Sequence, residues 1–262
     1  MRYALILFLF YLTTYVTAQT RLTANQIVER AQEAIKVKGV QGVSVMRIID
    51  EKGRERVRQI RQVTKLYDNG DTEKRLLRFM APADVKGTGL LTYDYKTKDD
   101  DLWLYMPVLR KSRRIVSTEK AKNFLGSEFT YADMTPPSLD DFNFKDLGEE
   151  MVNGIPCYKI EWLPKNEEVA EENGFSRRIT FFGKDDFVIR KSIYYDLDGE
   201  LLKELLVHEI KELDQENHKF RAMHLEMINH QNNRRSVLVN EKLEFNPNID
   251  DNYFTTRYLE RE

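Results

Sequence analysis

Four cations, Arg110, Lys111, Arg113 and Arg114, fall within five positions of a chain whose formal net charge is only −2. Such a cluster reads either as the solvated end of a hairpin or as a docking patch for anionic head groups or an acidic partner. Elsewhere the residue types that do chemistry are present but not arranged for it. There is no H-E-x-x-H, no G-x-S-x-G and no glycine-rich phosphate loop. The single cysteine, Cys157, can close no internal disulfide and reads as a small buried apolar residue. His224, Glu226 and His230 share one face of a strand by parity. The two histidines, however, would stand about 20 Å apart along extended chain, too far for one metal ion. Asp99-Asp100-Asp101 lacks the spacing and the glycine of a calcium loop and reads as a solvated turn. No catalytic residue, metal ligand or cofactor site is therefore assigned. A near-neutral chain is also not a globally basic nucleic-acid binder.

The elements that position the cations begin earlier. Thr23-x-x-Gln26 is a capping-box pattern, and Ile27, Ala31, Ala34 and Ile35 line one face of the helix it opens. Gly39 is its expected stop. From Val40 the hydrophobic period falls to two, and strands are expected at Val43–Ile49, Arg54–Leu66, Thr72–Met80, Leu90–Tyr95, Leu102–Met106 and Arg113–Val116. Arg54, Arg56 and Arg58 share a strand face that is expected to be wet. Ser117–Gly126 is irregular yet carries Phe124 and Leu125, which makes it a candidate lid. A short helix is expected at Leu139–Leu147 and a mobile acidic loop at Glu167–Gly174. Hairpins follow to the C-terminus, closing on a short helix within Asp250–Arg261. One helix and a long antiparallel series predict a single sheet of about ten strands, long enough to curl into a full or partial barrel.

Residues 1–18 have the makeup of a cleaved signal peptide. Arg2 is the positive end, Ala4–Leu12 the apolar run, and Val16-Thr17-Ala18 the small-residue site, with cleavage after Ala18. No cysteine sits near the cleavage point, so no lipoprotein anchor is expected. The remainder, 19–262, shows no linker-like shift in composition and is expected to form one domain. It contains no other run apolar enough to cross a bilayer as a helix.

The segment Phe79–Met134 carries a set of motifs: Phe79-x-x-Pro82-x-Asp84-x-Lys86-Gly87-Thr88-Gly89-x-Leu91, then Asp101-x-Trp103-Leu104-Tyr105-x-Pro107, then Arg113-Arg114-Ile115, then Phe124-x-Gly126-Ser127-x-Phe129-Thr130-Tyr131-x-Asp133-Met134. With Gly154-x-Pro156-Cys157-Tyr158 and the Asp251–Leu259 segment, they resemble the outer membrane lipoprotein-sorting protein family, of the LolA/LolB-like superfamily of periplasmic lipid carriers. The resemblance covers nearly all of the chain beyond the leader. It implies an α+β, mainly antiparallel fold, an unclosed β-barrel with helices over its open concave side. It implies a non-enzymatic periplasmic carrier that binds a lipid, a lipidated protein or another hydrophobic ligand between sheet and helices and hands it on.

Taken alone, the aromatic residues of this stretch are either plain core or cavity lining. The resemblance favours lining and nominates Leu91, Trp103, Tyr105, Phe124, Phe129, Tyr131 and Met134. Arg110, Lys111, Arg113 and Arg114 become the candidate contact for head groups or a partner. The partners implied are acyl chains, an inner-membrane transporter, an outer-membrane acceptor and a transient membrane surface, with the carrier itself a monomer. The chain is longer than true LolA and matches none of its gating residues, which leaves the cargo open. The alternative is a non-catalytic adaptor of an inner-membrane transporter.

Overall fold

The structure, a computed structural model, describes residues 21–261; the expected leader at 1–18 lies outside the described residues. Thr23 caps helix α1 (Ala24–Ile35): its hydroxyl accepts from the Gln26 amide and Gln26 Oε1 accepts from the Thr23 amide. Ile27, Val28 and Ala31 bury one face of the helix. The helix ends at Ile35, short of Gly39. Gly39 instead opens the first strand, where a side chain would press on Ile249 at 3.0 Å.

Six strands then run as a meander: β1 (Gly39–Ile49), β2 (Glu55–Tyr67), β3 (Thr72–Ala81), β4 (Gly89–Tyr95), β5 (Asp101–Met106) and β6 (Lys111–Arg114). A second meander follows: β7 (Phe142–Val152), β8 (Ile155–Pro164), β9 (Arg177–Gly183), β10 (Ile189–Tyr195), β11 (Leu201–Asp214), β12 (Lys219–Asn229) and β13 (Arg234–Phe245). The described residues form one 13-stranded antiparallel sheet in the order β6-β5-β4-β3-β2-β1-β13-β12-β11-β10-β9-β8-β7. The first and last strands pair at its centre, so the two edges, β6 and β7, are neighbours in sequence. The sheet is a curled barrel left open between them. The connection from Ile115 to Asp141, with α2 (Ser117–Lys120) and three short 3₁₀ turns, spans the opening.

The strands exceed the expected ten, and two local expectations are corrected. Leu139–Leu147 is not a helix: Phe142 and Phe144 alternate inward on β7 and place their rings 5.5 and 4.7 Å from that of Trp162. That period-two burial against β8 overrides the local helix-start signal at Ser138. Glu167–Gly174 is not a loop but helix α3 (Glu167–Asn173). Asn166 caps its first turn and Gly174, at φ 73°, ends it in the left-handed conformation.

Parity divides the sheet into two buried faces. The inner face gathers Met46, Ile60, Leu90, Leu102, Leu104 and Trp162 beneath α1. On the outer face, Leu91, Tyr105 and Trp103 pack under a C-terminal cover that includes α4 (Thr256–Leu259). Arg78 holds that cover by donating to the carbonyls of Tyr258 and Leu259 at 2.8 and 2.9 Å. Gly89 makes room for it, since a Cβ there would lie 2.6 Å from Leu259 Cδ1. No helix among the described residues is long and apolar enough to cross a membrane.

Candidate functional site

Between α1, the segment at 124–137 and the inner face lies a cavity of about 330 Å³. That is at the lower end of the range for small-molecule sites, roughly 300–1,000 Å³. Val28, Ala31 and Ile35 of α1 form one wall, and Met46, Ile60, Leu77, Leu205, Leu225 and Leu238 form the sheet side. Alternation explains the sheet side: a strand with one face toward the opening must send every second side chain there.

The wall also carries a polar stripe. Ser44 donates to Asn240 Oδ1 at 2.8 Å, and Gln62 donates to Ser44 Oγ and to Asn240 Oδ1 at 2.8 and 2.7 Å. Asn240 in turn donates to the Ala222 carbonyl at 2.8 Å. Thus β2, β1, β13 and β12 each contribute one link, and most of the buried polar groups of the stripe satisfy one another. An arginine stands beyond each end, Arg75 on β3 and Arg221 on β12, and both line the cavity. Arg75 is fully engaged, with Glu73 Oε1 at 2.7 Å and the Met134 carbonyl at 2.8 Å. Arg221 is not: its Nε and Nη2 are buried without a hydrogen-bond partner. Burial first, and then the charge of nearby Arg75, push the Arg221 guanidinium down to about 10, with Glu73 opposing.

The connection over the opening is fastened at many points. Arg58 donates to the Leu125 carbonyl at 2.6 Å, and Gln32 of α1 donates to the Pro137 carbonyl at 2.7 Å. Glu128 donates its amide to Ser236 Oγ at 2.9 Å and accepts from Asn229 at 2.9 Å. Lys203 and Asp133 form a buried pair at 2.9 Å. Burial opposes the Asp133 charge, but Lys203 and the Thr130 amide and hydroxyl outweigh it and hold the carboxyl below the usual range. The expectation of a wet arginine face on β2 holds for Arg54 and Arg56, which are exposed, and is corrected for Arg58. Arg58 is only 7% exposed, because its face turns inward and its guanidinium secures the cover.

Of the nominated lining residues, Phe124, Phe129 and Met134 reach the cavity. Tyr131 is buried beside them, its ring 5.5 Å from that of Phe124, within the same inner core. Leu91, Trp103 and Tyr105 are not brought to it. They have the opposite parity to Leu90, Leu102 and Leu104 and lie on the outer face. Of the four cations, Arg113 pairs with Glu119 at 2.6 Å and Arg114 pairs with Asp101. Arg110 and Lys111 are exposed, with no carboxylate in ion-pair reach among the described residues. They sit beside Val108 and Leu109, which are 90% and 58% exposed. Sequence reasoning missed Arg75, Arg221 and the polar stripe. No local signal singled out Arg75 or Arg221 among the 41 basic residues of the chain. No group of three or more His, Cys, Asp or Glu side chains among the described residues could hold a metal ion.

The fold has solved counterparts. A family model described only as "uncharacterized protein" matches residues 71–261, well over half of the chain. A Vibrio parahaemolyticus structure, provisionally designated an outer membrane lipoprotein-sorting protein domain, is 28% identical. The match covers 90% of this chain and 97% of that one, with a TM-score of 0.81. A DUF1329 family protein from Desulfovibrio piger is 26% identical over 89% of this chain and 96% of that one, also at 0.81. A LolA superfamily protein from Nitrosomonas europaea, 19% identical over 91% of this chain and 100% of that one, shares the fold at 0.68. Among curated proteins none matches. The chain belongs to the family that this model describes, and it shares its fold with the Vibrio lipoprotein-sorting domain, the DUF1329 protein and the LolA superfamily protein.

Proposed function

We propose that this protein is a non-enzymatic periplasmic carrier that shelters the apolar part of a lipid, a lipidated protein or another hydrophobic ligand and hands it on across the envelope. The observation that carries this reading is the cavity itself, an apolar space of about 330 Å³ between a curled sheet and a fastened cover. The family supports it, since the Vibrio relative is designated for lipoprotein sorting. Burying a methylene is worth about 0.8 kcal/mol, so a chain of some ten carbons would contribute on the order of 8 kcal/mol before the costs of ordering it. In this reading residues 1–18 direct export and are removed, leaving 19–262 as one carrier domain. Phe124, Phe129 and Met134 line the site from the cover side.

The hairpin tip at Val108–Lys111 is the proposed contact with a membrane or partner. Exposed apolar side chains beside exposed cations suit an anionic bilayer surface. Denaturing mass spectrometry of organic extracts, from protein purified out of its native envelope without detergent, tests the carrier reading. A stoichiometric lipid supports it. Clean extracts, together with no uptake of a neutral apolar fluorophore, refute it and favour the adaptor alternative.

A further inference from the structure

The chemistry of the cargo's polar end is written in the cavity cation that is left with a whole edge, two nitrogens, unpartnered among the described residues. Three arginines line the cavity: Arg75, Arg178 and Arg221. Arg75 has a carboxylate and a carbonyl. Arg178 is caged by rings, its Cζ 3.7 Å from the centroid of Trp162, 5.6 Å from Phe175 and 5.7 Å from Tyr194, and only its Nε is both buried and without a hydrogen-bond partner. The cavity's aspartate, Asp133, is already spent on Lys203. Arg221 remains, with Nε and Nη2 buried and unpartnered. These two nitrogens share one edge of the planar guanidinium, and their N–H bonds run nearly parallel. That edge accepts a planar two-oxygen anion by two charge-assisted hydrogen bonds. Carrying such a group in an apolar wall costs stability unless something that binds there repays it.

We infer that the cavity recognises a single-chain amphiphile ending in a carboxylate, whose two oxygens sit on the Nε–Nη2 edge of Arg221 while the chain lies along the apolar wall. The inference rests on the carrier reading and names the ligand class of that site. Size argues for one chain, since about 330 Å³ is small for a two-chain lipid. Charge argues for an anion, since Glu73 already offsets Arg75, whereas neither Arg221 nor the ring-caged Arg178 has a carboxylate in ion-pair reach among the described residues. Geometry argues for a carboxylate over a phosphate monoester. The latter would bring a third oxygen and a second charge, and the neighbouring donors of Ser44, Gln62 and Asn240 are engaged with one another.

The test uses the delipidated protein lacking its leader and a neutral fluorescent apolar probe. Displacement of the probe is measured for palmitic acid, for the alcohol of the same chain length and for the matching alkyl phosphate. The wild type should bind the acid at least roughly tenfold more tightly than the alcohol or the phosphate, as expected for charge-assisted bonds in a buried site. In R221M the acid and alcohol should become equal, with probe binding retained. R221K should recover only part of the preference, because an ammonium lacks the fork. Probe binding with no preference between acid and alcohol in the wild type overturns the head-group assignment while leaving the carrier reading standing. So does a tighter alkyl phosphate. A wild type that takes up neither probe nor any of the three ligands overturns both. The wild-type comparison decides the matter even if R221M does not fold.

Discussion

Removing Arg221 from the ligand-free protein should make it more stable. The guanidinium is held down to about 10, mainly by burial and then by Arg75. Relative to the ordinary arginine range, that depression corresponds to roughly 3 kcal/mol of unfavourable free energy for the charged form. Two buried N–H groups without partners point the same way, at about 1–3 kcal/mol each by mutational experience, although this overlaps with the first figure and does not add to it. Met is unbranched, of similar reach, and apolar like Leu225 and Leu238 around it. Allowing half of the penalty to be recovered after repacking, R221M should gain about 1.5 kcal/mol. For a domain of this size that is a rise of roughly 3–6 °C in Tm. Scanning calorimetry on delipidated wild type and variant measures it, and urea titration with an unchanged slope confirms that the native state has moved. R75M supplies the contrast. It strands the buried Glu73 carboxylate and frees the Met134 carbonyl, so it should lose about 3 kcal/mol. If R221M were destabilised as much as R75M, Arg221 would be a satisfied structural group, and the reasoning from its bare edge would be wrong.

Other perturbations separate cover, sheet and docking tip. Q32A deletes the bond from α1 to the Pro137 carbonyl; it should cost about 1 kcal/mol and speed release of a bound apolar probe, as stopped-flow fluorescence would show. G42A places a Cβ 1.9 Å from the Lys242 carbonyl oxygen beside the bulge between β1 and β13; it should cost about 3 kcal/mol or more, and an unchanged melt would refute the close approach. The double reversal R110E/K111E should weaken sedimentation with anionic vesicles severalfold and leave Tm within about 1–2 °C, because neither side chain has an ion-pair partner to lose among the described residues. Asp94 is pushed up to about 7 by burial, with Asp100 and Glu73 adding to it. A carboxyl whose folded value lies above its unfolded one stabilises the fold at low pH and loses that contribution as pH rises from about 4 toward 7. D94N should therefore gain on the wild type between pH 5 and pH 8 in paired melts, and a constant difference would contradict the assignment.

The fold was legible because β-structure writes itself as period two. Hairpin turns such as Asn153-Gly154 place the strand ends within a residue or two of their observed positions. Where the reading failed, it failed through a single bit of information. Leu91, Trp103 and Tyr105 are as apolar as Leu90, Leu102 and Leu104, and a strand buried on both faces no longer says which parity faces the cavity. The inner face is decided by what lies over it. One cover is α1 and the 124–137 segment, and the other is the C-terminal segment at 251–259. The capping box announced the α1 part of the first cover, and the candidate lid at Ser117–Gly126 reaches only the start of the other part. Nothing local announced that Leu259 would occupy the outer face at Gly89.

Arg75 and Arg221 were missed for the opposite reason. Each is one charge among 41 basic residues, and lone cations in a sequence are most often solvated. Only the register that sets Arg75 opposite Thr64 and Arg221 opposite Lys211 shows where they stand, and only the curl of the sheet brings their charges within reach of each other. A carrier must hold its ligand without a permanent bond. A buried cation left half-satisfied is a physical means to that end, because the empty site is costly and the filled one is not. Recognition would then depend on the same uncompensated edge that makes the ligand-free protein less stable. Stability and selectivity should therefore move in opposite directions at position 221, whereas at position 75, where the charge is already compensated, stability should fall.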